Sequence, residues 1–289
     1  MSFLHVIILA IVQGLAELLP VSSSAHVVVA EKLMGMDPSS PEMTLLLVML
    51  HTGTMFAVIV YFWKRWHKAF LQNAETFKNA VVLLFLATVL TGVVGEALIK
   101  LIEKVWMRDT PKAEIEQLFS HLELIAPALA AAGVLILIAG IFEKRRSITP
   151  SAEDAQMDAK QAGIIGFVQG LCLPFRGFSR SGATISTGML LGIDKLRAED
   201  FSFALAVILT PAVDVREGLR LIKAEHISGG AALGSAFLPS LIGAIFAFLA
   251  GLIALKWLSR WLESGRWYLF GIYCLAAAVA VAFLHHAGY

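Results

Sequence analysis

The sequence predicts an all-α polytopic membrane protein, with six spanning helices and two re-entrant helix-loop-helix elements arranged as inverted-topology repeats. Three observations carry that expectation. Of its 289 residues 58% are hydrophobic and only 16% charged, with a mean hydropathy of +0.76, a composition that places the chain in a bilayer. Acids and bases fall mainly in short connectors between apolar runs of about 20 residues, the length a spanning helix requires. Finally, a polar pattern recurs once along the chain, in register, inside otherwise apolar segments.

Residues 2–35 begin as an apolar helix, break at Leu19-Pro20-Val21-Ser22-Ser23-Ser24-Ala25-His26 and resume as a short helix ending near Gly35. Each arm is shorter than the ~20 residues a span requires. Irregular backbone at membrane depth is tolerated only where protein or a wet cavity satisfies its polar groups. Six longer apolar runs lie at about 43–63, 80–100, 122–142, 201–222, 230–256 and 267–286, and the segment 161–193 reads as a second broken element. The N-terminal run lacks a basic n-region and a cleavage site, so it reads as a retained segment. Cys172 and Cys274 sit in apolar runs without metal-ligand spacing and read as packing residues.

The two broken elements match. Val12-Gln13-Gly14-Leu15 recurs as Val168-Gln169-Gly170-Leu171, and Ser22-Ser23-Ser24 recurs, with one inserted residue, as Ser179-Arg180-Ser181. Gly35-Met36-Asp37 returns as Gly192-Ile193-Asp194. Three full spans separate the copies, and an odd number inverts the second, giving one membrane domain over 1–289 with repeats at about 1–145 and 155–289. Inverted repeats with broken helices in corresponding positions place a binding site near the midplane.

Orientation follows from basic residues. With the N-terminus outside, the inside connectors hold Lys64, Arg65, Lys68, Lys78, Lys144, Arg145, Arg146, Lys160, Lys195, Arg197, Lys256, Arg260 and Arg266, which is 13 of the 23 Lys and Arg residues. Lys104, Arg108 and Lys112 fall outside, so the bias is strong but incomplete. Both termini are then extracytoplasmic. The near-zero net charge and its confinement to connectors argue against a nucleic-acid partner.

The chemistry concentrates in the two breaks. Arg180 is a costly charge in an apolar segment, and such residues face a cavity or a partner. Its planar fork matches phosphate oxygens. Ser179, Ser181 and Thr184 can donate to the same anion, while Gly177 and Gly182 let backbone approach it closely. A helix opening at about Ser181, and another after Ser24, would aim free N–H groups and positive dipole ends at an anion. Capping and interhelical bonding account for many serines in membrane bundles, yet Ser22, Ser23 and Ser24 stand beside His26 and Glu17 and repeat a segment carrying Arg180. Gln13 and Glu17 share a helix face and read either as a buried polar pair or as ligands for Mg²⁺ or Ca²⁺. His51 reads as a core hydrogen-bonding residue, and Asp214, Arg216, Glu217 and Arg220 read either as an internal ion network or as lining the site.

These residues resemble the undecaprenyl-diphosphate phosphatase family of the bacitracin-resistance type, over nearly the whole chain. Its (E/Q)-x-x-x-E motif is seen as Gln13-Gly-Leu-Ala-Glu17, followed by Pro20-Val-Ser-Ser-Ser-Ala-His26. Its P-G-x-S-R-S-x-x-T motif appears as Arg176-Gly-Phe-Ser-Arg-Ser-Gly-Ala-Thr184, with Arg176 replacing the usual proline. The resemblance implies a multi-pass enzyme of the bacterial inner membrane, its active site open to the periplasmic side. It would remove the terminal phosphate of undecaprenyl diphosphate, recycling the lipid carrier for envelope polymers and depriving bacitracin of its target. On this reading Ser23 is the candidate nucleophile, His26 its base, and Glu17 with Gln13 the holder of a divalent cation. Arg180, Ser179, Ser181, Thr184, Ser22, Ser24 and Gly182 bind phosphate. Direct attack by water, with His26 as base, fits equally well. A polyprenyl diphosphate and membrane lipids are the expected partners, with a homodimer left open. A lipid-phosphate transporter would use the same architecture, but would not require Ser23, His26 and Glu17 together.

Overall fold

The computed structural model describes residues 2–36, 40–108, 115–119, 121–146, 157–228 and 232–288. Asp37, the end of the first repeated signature, lies outside them, as does the side chain of Arg220. Among the described residues the chain is entirely helical: α1 (Phe3–Leu18), α2 (Ser23–Leu33), α3 (Pro41–Phe70), α4 (Ala74–Val105), a single 3₁₀ turn (Ile115–Leu118), α5 (Leu122–Arg146), α6 (Ala159–Cys172), α7 (Arg180–Leu190), α8 (Lys195–Ser228), α9 (Ala232–Glu263) and α10 (Tyr268–His286).

Five of these helices are long and apolar enough to cross a membrane: α3, α4, α5, α9 and α10. The expected run 201–222 is helical throughout, inside α8, but Asp200 and Asp214 leave only Phe201–Val213 uncharged between them. That is short of the ~20 apolar residues a span takes. α4 shows how a span divides its faces. Ala80, Leu83, Ala87, Thr91 and Gly95 are buried at helical spacing, whereas Val82, Phe85, Val89 and Val93 form an exposed stripe suited to lipid.

Local chemistry sets the helix ends. Asn73 caps α4 by accepting from Thr76 N–H at 2.8 Å, and Asp158 with Gln161 closes a capping box on α6. The two short inner helices stop alike. In α2 the N–H of Met36 reaches Glu31 O at 3.0 Å and that of Gly35 reaches Lys32 O at 3.1 Å; in α7 Ile193 reaches Gly188 O at 3.0 Å and Gly192 reaches Met189 O at 3.1 Å. Both Gly35 and Gly192 have positive φ, so the repeated glycine signature is one Schellman cap used twice.

The chain divides into two compact units. The first comprises Met1–Leu19, Ser23–Trp63 and Ala206–Leu258, and the second Pro20–Ser22, Lys64–Leu205 and Ser259–Tyr289. In the first, Val6, Leu9, Ala10, Val27, Met43, Leu46, Leu50 and Ala247 form the core. Gly14 of α1 lies against α9, where an added Cβ would fall 2.6 Å from Ala247 O. In the second unit Gly170 of α6 lies against α4 in the same way, 2.7 Å from Val94 Cβ and 2.9 Å from Thr91 O. There α5 and α10 meet through facing glycines, Gly133 against Gly271 O and Gly271 against Gly133 O. Cys172 and Cys274 are buried and unbridged, and Cys274 Sγ–H donates to Pro20 O at 3.4 Å.

Candidate active site

In the first unit the break after α1 aligns three polar side chains on one carboxylate. Gln13 and Glu17 are one turn apart, and Gln13 Nε2 donates to Glu17 Oε2 at 3.2 Å. Ser23 opens α2 and its Oγ donates to the same Oε2 at 2.5 Å. His51 of α3 brings Nε2 to 3.8 Å from that oxygen. Its Nδ1 donates to Leu47 O at 2.8 Å, which fixes the ring orientation. Next in sequence, Thr52 donates to Val48 O at 2.9 Å and to Asp214 Oδ2 of α8 at 3.3 Å. Gln13 is buried, whereas Glu17 and His51 retain 15% and 39% side-chain exposure, so a ligand can reach the carboxylate edge. Ser24 and His26 occupy the first turn of α2.

Sequence reasoning found Gln13, Glu17 and Ser23 but assigned His51 to the core. A lone mid-span histidine carries no pattern, and its contact with Glu17 depends on how α3 packs. Asp214 lies 162 residues from Thr52, so no local spacing could have joined them.

Ser22 stands in the left-handed region at φ 67°, the one non-glycine to do so among the described residues, and is buried with Pro20 and Val21 in the second unit. Strain at such a residue persists only where its surroundings hold it, and it clusters at functional sites.

The second break, in the second unit, is built for an anion. α7 begins at Arg180, one residue earlier than expected, with Ser179 as N-cap accepting from Gly182 N–H at 3.2 Å. Gly177 has φ +102°, and a Cβ there would lie 2.5 Å from Ile125 O. Only glycine fits so close to α5. Gly182 packs on α5 as well, with Ile136 Cδ1 2.7 Å from its virtual Cβ. Ser181 and Thr184 are buried, while Arg180 is half-buried at the helix start. Thr184 Oγ1 bonds Arg180 O at 2.9 Å and Ser202 Oγ at 2.6 Å, so its hydroxyl serves the helix pair. Arg176, in place of the family's proline, lays its guanidinium over the Phe119 ring at 4.5 Å from the centroid, a cation–π contact that anchors the loop to the connector before α5.

The repeat has diverged chemically. The position matching Glu17 is Leu173, and Gln169 is fully buried, donating to Thr91 Oγ1 at 3.4 Å. One copy carries the carboxylate and the other the arginine.

A divalent cation was expected at Glu17 and Gln13. Among the described residues no three His, Cys, Asp or Glu side chains converge on a metal position. Glu17 and the Ser23 hydroxyl offer the hard oxygens Mg²⁺ or Ca²⁺ prefers, and Mg²⁺ commonly takes only one or two carboxylates beside substrate phosphate. Gln13 turns its NH₂ toward Glu17, so its oxygen would ligate only after the carboxamide turns over.

Helices of spanning length joined to two polar breaks, one with a serine on a carboxylate and one with an arginine at a helix start, define a multi-pass membrane protein. Residues 6–280 match the family of the bacitracin resistance protein BacA, and the chain belongs to that family. It is 60% identical over 279 residues to undecaprenyl-diphosphatase 2 of Acinetobacter baylyi, covering 96% of this chain and 95% of the relative. It is 30% identical to an undecaprenyl-diphosphatase of Parabacteroides distasonis, with 98% of each covered. An undecaprenyl-diphosphatase 1 of Burkholderia pseudomallei is 32% identical, with 99% of each covered.

Proposed function

We propose that the protein hydrolyses undecaprenyl diphosphate to undecaprenyl phosphate and inorganic phosphate, recycling the lipid carrier and conferring bacitracin resistance. The observation that carries this reading is the pairing of Ser23 Oγ with Glu17 Oε2 within a chain 60% identical to an undecaprenyl-diphosphatase.

Ser23 Oγ attacks the terminal phosphorus, and the bond from that phosphorus to the bridging oxygen breaks, so undecaprenyl phosphate leaves with the electron pair. On this reading the hydroxyl proton passes to Glu17, the carboxylate it already addresses, rather than to the His26 expected from sequence. His26 then activates the water that cleaves the phosphoserine, releasing phosphate and restoring the serine. Arg180, Ser179, Ser181, Gly182 and the positive dipole end of α7 hold the diphosphate, and Ser22 and Ser24 flank the nucleophile. That both breaks serve one diphosphate rests on the internal repeat and on the two family motifs. A bound divalent cation, Mg²⁺ or Ca²⁺, would offset charge on the diphosphate, with Glu17 as its protein ligand.

The fold reading is six spans, with α8 as the sixth despite its charges, and two re-entrant elements, α1–α2 and α6–α7. The repeat is supported by matched Schellman caps and by matched glycine packings, α1 on α9 and α6 on α4, which are corresponding pairs if the halves are 1–145 and 155–289. The basic residues favour both termini and the opening on the periplasmic side.

The experiment is phosphate release from a polyprenyl diphosphate by purified protein, with magnesium, with calcium or with chelator. Ser23→Ala is expected to lose activity by about 10³-fold or more, and acid quench of the wild type to trap a phosphoserine. Absence of hydrolysis with competent lipid and metal would sink the proposal. Hydrolysis without a trapped phosphoserine, with Ser23→Ala active, would replace serine attack by water attack.

A further inference from the structure

An ion network around the buried Glu199 and Asp200 lies in the second unit, and a continuous set of contacts leads from it to Arg180. Arg65, near the end of α3, donates through Nη1 to Glu199 Oε2 at 2.8 Å and through Nη2 to Leu196 O at 3.0 Å, and its Nε forms an ion pair with Asp200 Oδ1 at 3.1 Å. Trp66 Nε1 donates to Asp200 O at 3.2 Å, and Ser259 of α9 donates to Glu199 Oε1 at 2.8 Å. Four hydrogen bonds and one ion pair from two helices therefore grip the opening turns of α8. The guanidinium fork suits this, because its donors are fixed in one plane.

The other side of α8 holds α7. Ser202 follows Asp200 by two residues, about 200° round the helix at ~100° per residue, and its Oγ lies 2.6 Å from Thr184 Oγ1 in a fully buried contact. Thr184 has one hydroxyl proton, and its Oγ1 lies 2.9 Å from Arg180 O. With that proton on Arg180 O, Ser202 is the donor in the pair. The order is then Ser202 to Thr184 to the carbonyl of Arg180. One turn further along the same helix pair, Gly188 packs against Ala198, with 2.8 Å from its virtual Cβ to Ala198 Cβ, so the two helices cannot slide without a clash.

We propose that Ser202, with Arg65, Glu199 and Asp200 behind it, is a positioning residue for Arg180: it fixes the backbone from which the guanidinium reaches the diphosphate. This rests on the phosphatase reading above. Arg65, Glu199 and Asp200 belong to neither motif, and on this proposal their effect reaches the reaction through where Arg180 stands. Losing it weakens phosphate binding more than chemistry.

The test is steady-state hydrolysis of polyprenyl diphosphate by the full-length protein. Ser202→Ala is expected to raise KM about tenfold with kcat within about twofold, the pattern of lost uniform binding. Ser202→Thr, which keeps the hydroxyl, should restore KM. Arg65→Lys keeps one charge but loses the fork, and should raise KM in the wild type yet add nothing once Ser202 is alanine, because the connection is already cut. Unchanged KM in Ser202→Ala, or multiplying effects of the two substitutions, overturns the inference. If Arg65→Lys fails to fold, Ser202→Ala and its threonine rescue still decide it. Wild-type protein without activity overturns the phosphatase reading and this inference together; active wild type with a silent Ser202→Ala overturns this inference alone.

Discussion

Gly177 shows how much one backbone position carries. Its φ of +102° and the 2.5 Å approach of a virtual Cβ to Ile125 O leave no room for alanine. Gly177→Ala should cost about 2 kcal/mol or more from conformation and overlap, read as a lower unfolding midpoint in detergent, with loss of hydrolysis because Ser179 and Arg180 follow directly. An unchanged midpoint would mean that the loop does not lean on α5. At this scale the sequence was legible where chemistry is local. Gln13 and Glu17 announce their contact by a one-turn spacing, and Arg180 announces itself by its cost in an apolar segment. His51 was not legible as a neighbour of that chemistry, and Asp214 was legible only as either an ion-network member or a site-lining residue, since their contacts with Glu17 and Thr52 are made by helix packing across long sequence separations. Arg176 became intelligible only once Phe119 was seen beneath it.

At the scale of elements, both breaks could be read from sequence because proline, glycine and clustered serines interrupt apolar runs, and each falls within a few residues of where it was expected. The run 201–222 is helical as expected, within a longer α8 that begins at Lys195 and whose first turns carry the ion network. The glycines make a testable set. Gly14→Leu and Gly170→Leu should each lower the unfolding midpoint, because a branched side chain would drive into α9 or α4. Gly92→Ala, where an added Cβ meets nothing within 4 Å, should leave the midpoint within about 1 kcal/mol of wild type. Tolerance of leucine at Gly14 or Gly170 would refute those close packings.

For the whole molecule, composition was enough to place the chain in a membrane, and the weak internal match suggested two halves whose chemistry has separated, carboxylate in one and arginine in the other. Composition says nothing about sidedness, which rests on the basic connectors. Lys68 and Lys104 are both exposed and sit on opposite sides in the proposed topology. A membrane-impermeant thiol reagent should label Lys104→Cys in intact cells and Lys68→Cys only after permeabilisation, with Cys172 and Cys274 contributing little because they are buried. The reverse pattern would invert the protein and with it the side on which substrate enters.

The proposal with most consequence is that Arg180 holds the lipid diphosphate during hydrolysis. It is tested most directly by measuring kcat/KM for phosphate release from undecaprenyl diphosphate by purified wild type and Arg180→Ala, with folding checked by the unfolding midpoint. The account predicts an active wild type and a loss of about 10²-fold or more in a variant that remains folded. Wild-type kcat/KM in Arg180→Ala would contradict it.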